Sequence, residues 1–218
     1  SHLAVNAWGM DWLSGGQASF RLVSPVYDGD AATARVTAAG NGDFEAELIV
    51  DDICCAQGGF ARAHGLRADS LDPIEQLALT GDLPAATPES LAVGTTLPVI
   101  TREVSQQLAG EILTELREDL PVFKTEHLIH PGYLIRVANW ALSNTVRLGP
   151  WVHVGSELRN FQPCPAGTTL SAFSQVTKNF ESKGHRFVTL DIRIHASGVG
   201  LTSQVLHTAI YQLRPDSS

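Results

Sequence analysis

The feature that most constrains the fold is an internal match between two stretches 138 positions apart. Phe20-Arg21-Leu22-Val23-Ser24-Pro25-Val26-Tyr27-Asp28-Gly29 aligns with Leu158-Arg159-Asn160-Phe161-Gln162-Pro163-Cys164-Pro165-Ala166-Gly167. The arginine, the proline and the glycine four residues after it all coincide. In this register Asn6 falls on Asn144, and one residue of slippage brings Trp12 and Gly16 onto Trp151 and Gly155. A unit duplicated within the chain accounts for the match. It also suits a length of 218 residues, generous for one domain and tight for two.

The second copy shows the pattern of the unit. Arg102–Leu120 places Val104, Leu108, Ile112, Leu113 and Leu116 on one helical face and stops at Pro121. A second helix is expected over His130–Val146, apolar nearly all round and so buried on most sides. Period-two alternation then predicts strands at Trp151–Phe161, Thr169–Phe180, His185–Ser197 and Gln204–Leu213. In the third of these, Phe187, Leu190, Ile192 and Ile194 alternate with polar residues, with one slip near Val188. The first copy repeats the later part: a helix-like Leu3–Leu13, then strands at Gln17–Val23, Thr33–Ala39, Phe44–Cys54 and Gly59–Ala63. Proline-rich residues 64–95 read as a linker with one short helical stretch, Pro73–Leu79. This gives an α+β chain with a partial unit at 3–63 and a complete one at 96–214. The first unit begins inside its central helix and lacks the counterpart of residues 96–140.

Composition narrows the function. At 44% hydrophobic residues the chain can build a core, and a net charge of −8 with scattered Lys and Arg argues against nucleic acid. No apolar run has the length of a membrane span. Cys54, Cys55 and Cys164 form neither a disulfide framework nor zinc spacing, so a reducing cytoplasm and no metal are expected. Ser1-His2 reads as a scar left by a cleaved tag.

A long apolar helix followed by four antiparallel strands, with Ser24–Asp30 as the turn after the first strand, resembles the hotdog fold. Together with His130-Pro131-Gly132-Tyr133-Leu134, Gly149–Ser156 and Lys183-Gly184-His185-Arg186-Phe187, it resembles a double-hotdog protein of the MaoC-like acyl dehydratase and (R)-specific enoyl-CoA hydratase group. The resemblance implies two hotdog units sharing one antiparallel sheet wrapped on long central helices, the N-terminal unit incomplete. It further implies an acyl thioester bound between the units, as acyl-CoA or acyl-carrier protein, with no other cofactor. A homodimer or a partner hotdog subunit is also implied. The family motif G-D-x-N-P-[LIV]-H falls on Arg117–Phe123. Aligned on Pro121, it puts Glu118 at the aspartate, Leu120 at the asparagine and Phe123 at the histidine, so the usual Asp/His dyad is not matched.

Candidates for a displaced acid/base pair are therefore His130 with Glu118 or Asp119. His130 precedes a helix start whose amides, including that of Gly132, suit an oxyanion; a locally bonded cap is the alternative. Glu118 and Asp119 also read as solvated helix-end carboxylates. Asn139, His153, Gly155 and Ser156 are candidate substrate contacts. By strict alternation His153 and Gly155 face one way, while Val154 and Ser156 face the other. His185, His195 and His207 read as structural, and His64 and His127 as loop residues. The favoured activity is hydration or dehydration of an enoyl thioester. The alternatives are a hotdog acyl-CoA thioesterase using Asn139, or a degenerate acyl-binding or assembly subunit.

Overall fold

The computed structural model describes residues 1–40, 42–62, 65 and 67–214. Among these, nine strands form one antiparallel sheet. Helix α1 (His2–Gly15) precedes β1 (Gln17–Leu22), β2 (Thr33–Ala38), β3 (Phe44–Val50) and β4 (Ile53–Ala61). Strand β5 (Thr96–Val104) leads to α2 (Gln106–Glu115), α3 (Pro121–Thr125) and α4 (Pro131–Ser143). Strands β6 (Val152–Asn160), β7 (Thr168–Ser182), β8 (His185–Ala196) and β9 (Gly200–Gln212) complete the chain.

The strand order, β2-β3-β4-β1-β6-β9-β8-β7-β5, reads the same from either side of the β1/β6 junction, except for β5 at one edge. At the junction Gln17 pairs with Arg159 and Arg21 with Gly155. The 138-residue shift maps Gln17–Arg21 onto Gly155–Arg159, so this segment pairs antiparallel with its own repeat. A two-fold relation between the units follows, passing through the Ser19·Glu157 pair.

The repeat does not extend into the helices. Only Gly16 separates α1 from β1, whereas Asn144–Trp151 separate α4 from β6. Asn6 is therefore inside a helix while Asn144 caps one, and Trp12 belongs to α1 while Trp151 lies in a loop. Trp12 is buried, its carbonyl accepts from Asn160 Nδ2 at 3.2 Å, and its ring meets Phe60 edge-on. Helix α1 bends at Gly9, whose φ of 56° is open to glycine.

The four strands expected after residue 150 are present with shifted ends. In β8 the fully buried residues are Val188, Leu190, Ile192 and Ile194, while Phe187 points to the other face and stacks on Phe180 at 5.0 Å. Four expectations fail. The strand expected over Phe44–Cys54 turns at Asp51 and Asp52, both at positive φ as a tight hairpin turn requires. The helix expected from Arg102 starts at Gln106, because Ser105 caps it by accepting the Leu108 N–H at 3.1 Å; Arg102–Val104 remain strand. Pro121 opens α3 rather than merely ending a helix, since a first-turn position does not need its missing N–H. Pro73–Leu79 is not helical; a one-turn helix at Ala68–Ser70 is the regular element there. Ala63 and His64, at the expected edge of the first unit, lie outside the described residues. No described helix is long and apolar enough to cross a membrane.

Candidate active site

The start of α4 meets the end of α2 at a buried carboxylate. Past α2 the chain turns at Arg117, whose φ is 52°, and the Glu118 N–H reaches back to the Leu113 carbonyl at 2.8 Å. This left-handed helix ending swings Glu118 inward. Its Oε1 accepts from Leu120 N at 3.0 Å, and the residue is 7% exposed. Asp119, next in the chain, is exposed.

His130 is the N-cap of α4: its Nδ1 accepts from Gly132 N at 3.0 Å. That bond assigns the ring's proton to Nε2 when neutral. Nε2 lies 3.2 Å from Glu118 Oε2 and 3.0 Å from Ser1 Oγ. Burial is the leading cause that lowers the His130 pKa to about 4. Burial pushes the Glu118 carboxyl up, but the Leu120 N–H and the two histidines together hold it below its ordinary value. At neutral pH the pair is a carboxylate facing a neutral N–H donor.

Phe123 sits where the family motif has histidine, and its ring lies 4.9 Å from the His130 ring. The start of α4 thus supplies an imidazole beside the position where this chain has Phe123 in place of the motif's histidine. His2 Nδ1 approaches Glu118 Oε1 at 2.8 Å, so two imidazoles flank one carboxylate. His2, Glu118 and Asp119 offer donor atoms within 4.8 Å of one another. His130 cannot join them as a metal ligand while its Nε2 carries the proton.

Of the other candidates, Gly132 uses its N–H on His130 in this structure. Asn139, half-buried on α4, leaves Oδ1 buried without a partner. Gly155 lets β1 approach: a Cβ there would lie 2.6 Å from the Phe20 carbonyl oxygen. A β-bulge between His153 and Gly155 breaks the expected alternation. With Val154 unpaired, His153 and Ser156 share a face, and His153 Nε2 lies 2.9 Å from Ser156 Oγ. Ser156 Oγ in turn lies 3.1 Å from His207 Nδ1. His207, expected to be structural, stands opposite Ser156 on β9, a place only the strand register reveals. A groove of about 1080 Å³ is lined by Phe20, Gly155 and Ser156 among others, but not by Glu118 or His130.

No protein-family model matches the sequence, and no curated protein matches it. Solved structures do match. Acyl-CoA thioesterase II TesB2 from Mycobacterium marinum is 11% identical with a TM-score of 0.62, over 99% of this chain and 87% of that one. A MaoC-like dehydratase is 10% identical with a TM-score of 0.58, over 91% and 75%. A MaoC domain protein from Chloroflexus aurantiacus, assigned as a dehydratase, is 13% identical with a TM-score of 0.56, over 94% and 77%. At such identities the likeness is one of fold. The chain is a double hotdog, as the resemblance implied.

Proposed function

We propose that this chain is a MaoC-like hotdog enzyme that adds water to a 2-enoyl thioester, or removes it. The observation that carries the reading is the buried Glu118–His130 pair at the start of the central helix. Glu118, ionised at neutral pH, takes a proton from a water as its oxygen attacks C3 of the enoyl group. The protonated carboxyl then returns that proton to C2, so one base serves both halves and the atoms balance. His130 holds the carboxylate through its Nε2 proton.

The substrate thioester would be carried by CoA or acyl-carrier protein, with no other cofactor. We place the protein in a reducing cytoplasm, which its three free cysteines suit, and pair it with a second copy or another hotdog subunit. The test is loss of enoyl absorbance when the protein meets crotonyl-CoA and longer enoyl-CoAs. Turnover that disappears in Glu118→Gln supports the reading; binding without turnover at every chain length overturns it in favour of a binding subunit.

One observation favours thioester hydrolysis instead: the unpartnered, buried Oδ1 of Asn139 on α4 is an acceptor suited to hold a water. Release of free thiol without change at the enoyl double bond would select that reaction.

A further inference from the structure

Glu118 and His130 belong to two separate rigid pieces. Beyond α2, the Leu116, Arg117 and Glu118 N–H groups bond back to the Ile112, Thr114 and Leu113 carbonyls at 2.9, 3.1 and 2.8 Å, so Glu118 moves with the end of α2. His130 is tied to α4 by the Gly132 N–H on its Nδ1 and by the Tyr133 N–H on its carbonyl at 2.9 Å. The 3.2 Å between Nε2 and the carboxylate is therefore set by how the end of α2 sits against the start of α4.

An ion pair spans the same seam. Glu115, the last residue of α2, takes the Arg136 guanidinium of α4 in a fork: Nη1 donates to Oε2 at 3.1 Å, and Nη2 donates to Oε1. Glu115 stands three residues before Glu118, and Arg136 six after His130. Arg136 also lies over the Tyr133 ring, 5.9 Å from its centre, and the buried Tyr133 meets Trp140 edge-on at 5.8 Å. Leu116 closes the seam beside them: a Cβ on Gly132 would lie 3.5 Å from its Cδ1.

Stability does not explain the fork. The Glu115 and Arg136 side chains are 57% and 38% exposed, and ion pairs this open add little. A carboxylate at the last position of a helix also meets the negative end of the helix dipole, the wrong sign for α2. What a two-bond pairing of arginine with carboxylate does supply is fixed geometry.

We infer that Glu115 and Arg136 are positioning residues whose fork sets the separation of Glu118 from His130. The catalytic consequence rests on the function proposed above; the positional one rests on the geometry alone.

The test compares Glu115→Gln, Arg136→Gln and the exchanged pair Glu115→Arg with Arg136→Glu in crotonyl-CoA hydration. Each single variant should lose about tenfold in kcat with KM within about twofold, and the exchanged pair should regain most of the loss. Tm should move by about 3 °C or less, as for an exposed pair. The Nε2 proton of His130, identified by its absence in His130→Gln, should shift upfield in proton NMR of the single variants and return in the exchanged pair. Unchanged kcat and an unmoved proton in both single variants overturn the inference and leave the proposed reaction standing. A loss of kcat that the exchange fails to restore, or that comes with a larger fall in Tm, overturns it too, since the fork would then serve the fold. If the parent does not turn over, the proposed function fails and the proton alone decides. Shifted in the single variants and restored by the exchange, it upholds the positioning role; unmoved, it overturns it.

Discussion

His130 turns its single ring proton toward Glu118 and the Ser1 hydroxyl: Nδ1 is engaged by the Gly132 amide at 3.0 Å, and Nε2 lies 3.2 Å from the carboxylate and 3.0 Å from Ser1 Oγ. The helix start fixes the tautomer, and the tautomer fixes the polarity of the pair. Glu118 is therefore the member able to accept a proton, and His130 the member that holds it in place.

Glu118→Gln separates charge from shape at this site. The amide oxygen can still accept from His130 Nε2, so the fold should survive, but the base is gone. Enoyl-CoA hydration should fall about 10²–10⁴-fold, the usual worth of a general base. Turnover within about threefold of the parent, on that scale, would remove Glu118 from the chemistry.

Stability should fall as pH drops from neutrality toward 4. His130 and His207 have pKa values lowered to about 4 and about 3 in the folded chain, against 6.5 for the free side chain. Between those values the unfolded chain binds more protons than the folded one, so acid favours unfolding. The stability these neutral rings contribute is complete above 6.5 and lost as pH falls toward their folded values. Glu118, also lowered, acts in the same direction in the carboxylate range below. Melting temperature measured from pH 7 to 4 should drop, and His207→Phe should flatten part of the slope. A flat profile would mean that these rings titrate normally.

The strands of the second unit were legible because they alternate over many residues and are bounded by turn residues. The repeat was legible from the Arg21/Arg159 match, but not the pairing of these two segments with each other. The bulge at Val154 left no trace in residue type, and it reversed the facing of His153 against Ser156. Ser105 carried a legible cap signal that the apolar periodicity beginning at Val104 outweighed. Pro121 and the helix start located Glu118 and His130, but the inward turn at Arg117 was hidden, since glycine normally marks such an ending. His207 depended on a strand pairing that no local pattern encodes.

Gly155 and Gly58 should prove to be packing residues of the two-unit sheet. A Cβ on Gly155 would sit 2.6 Å from the Phe20 carbonyl oxygen, and one on Gly58 would sit 2.0 Å from that of Ser19. Both atoms are backbone of β1, which is paired on both edges and cannot yield alone. Alanine at either position should cost about 1–3 kcal/mol or more in denaturant unfolding. Gly149→Ala, with nothing within 4 Å, is the control. Unchanged stability of Gly155→Ala with weakened ligand binding would restore Gly155 as a substrate contact.

Phe123→His would restore the histidine of the motif, and under the proposed function it should not raise hydration. Phe123 is 1% exposed and its ring packs 4.9 Å from His130. A second imidazole there buries two more polar nitrogens in an apolar setting, costing roughly 1–3 kcal/mol for each left unpaired. It would also compete with His130 for the Glu118 carboxylate, which already accepts from Leu120 N. The expected result is a lower melting temperature with hydration equal to or below that of the parent. A gain in kcat would show instead that the site keeps the family geometry around Phe123, and that His130 is not the imidazole this carboxylate works with.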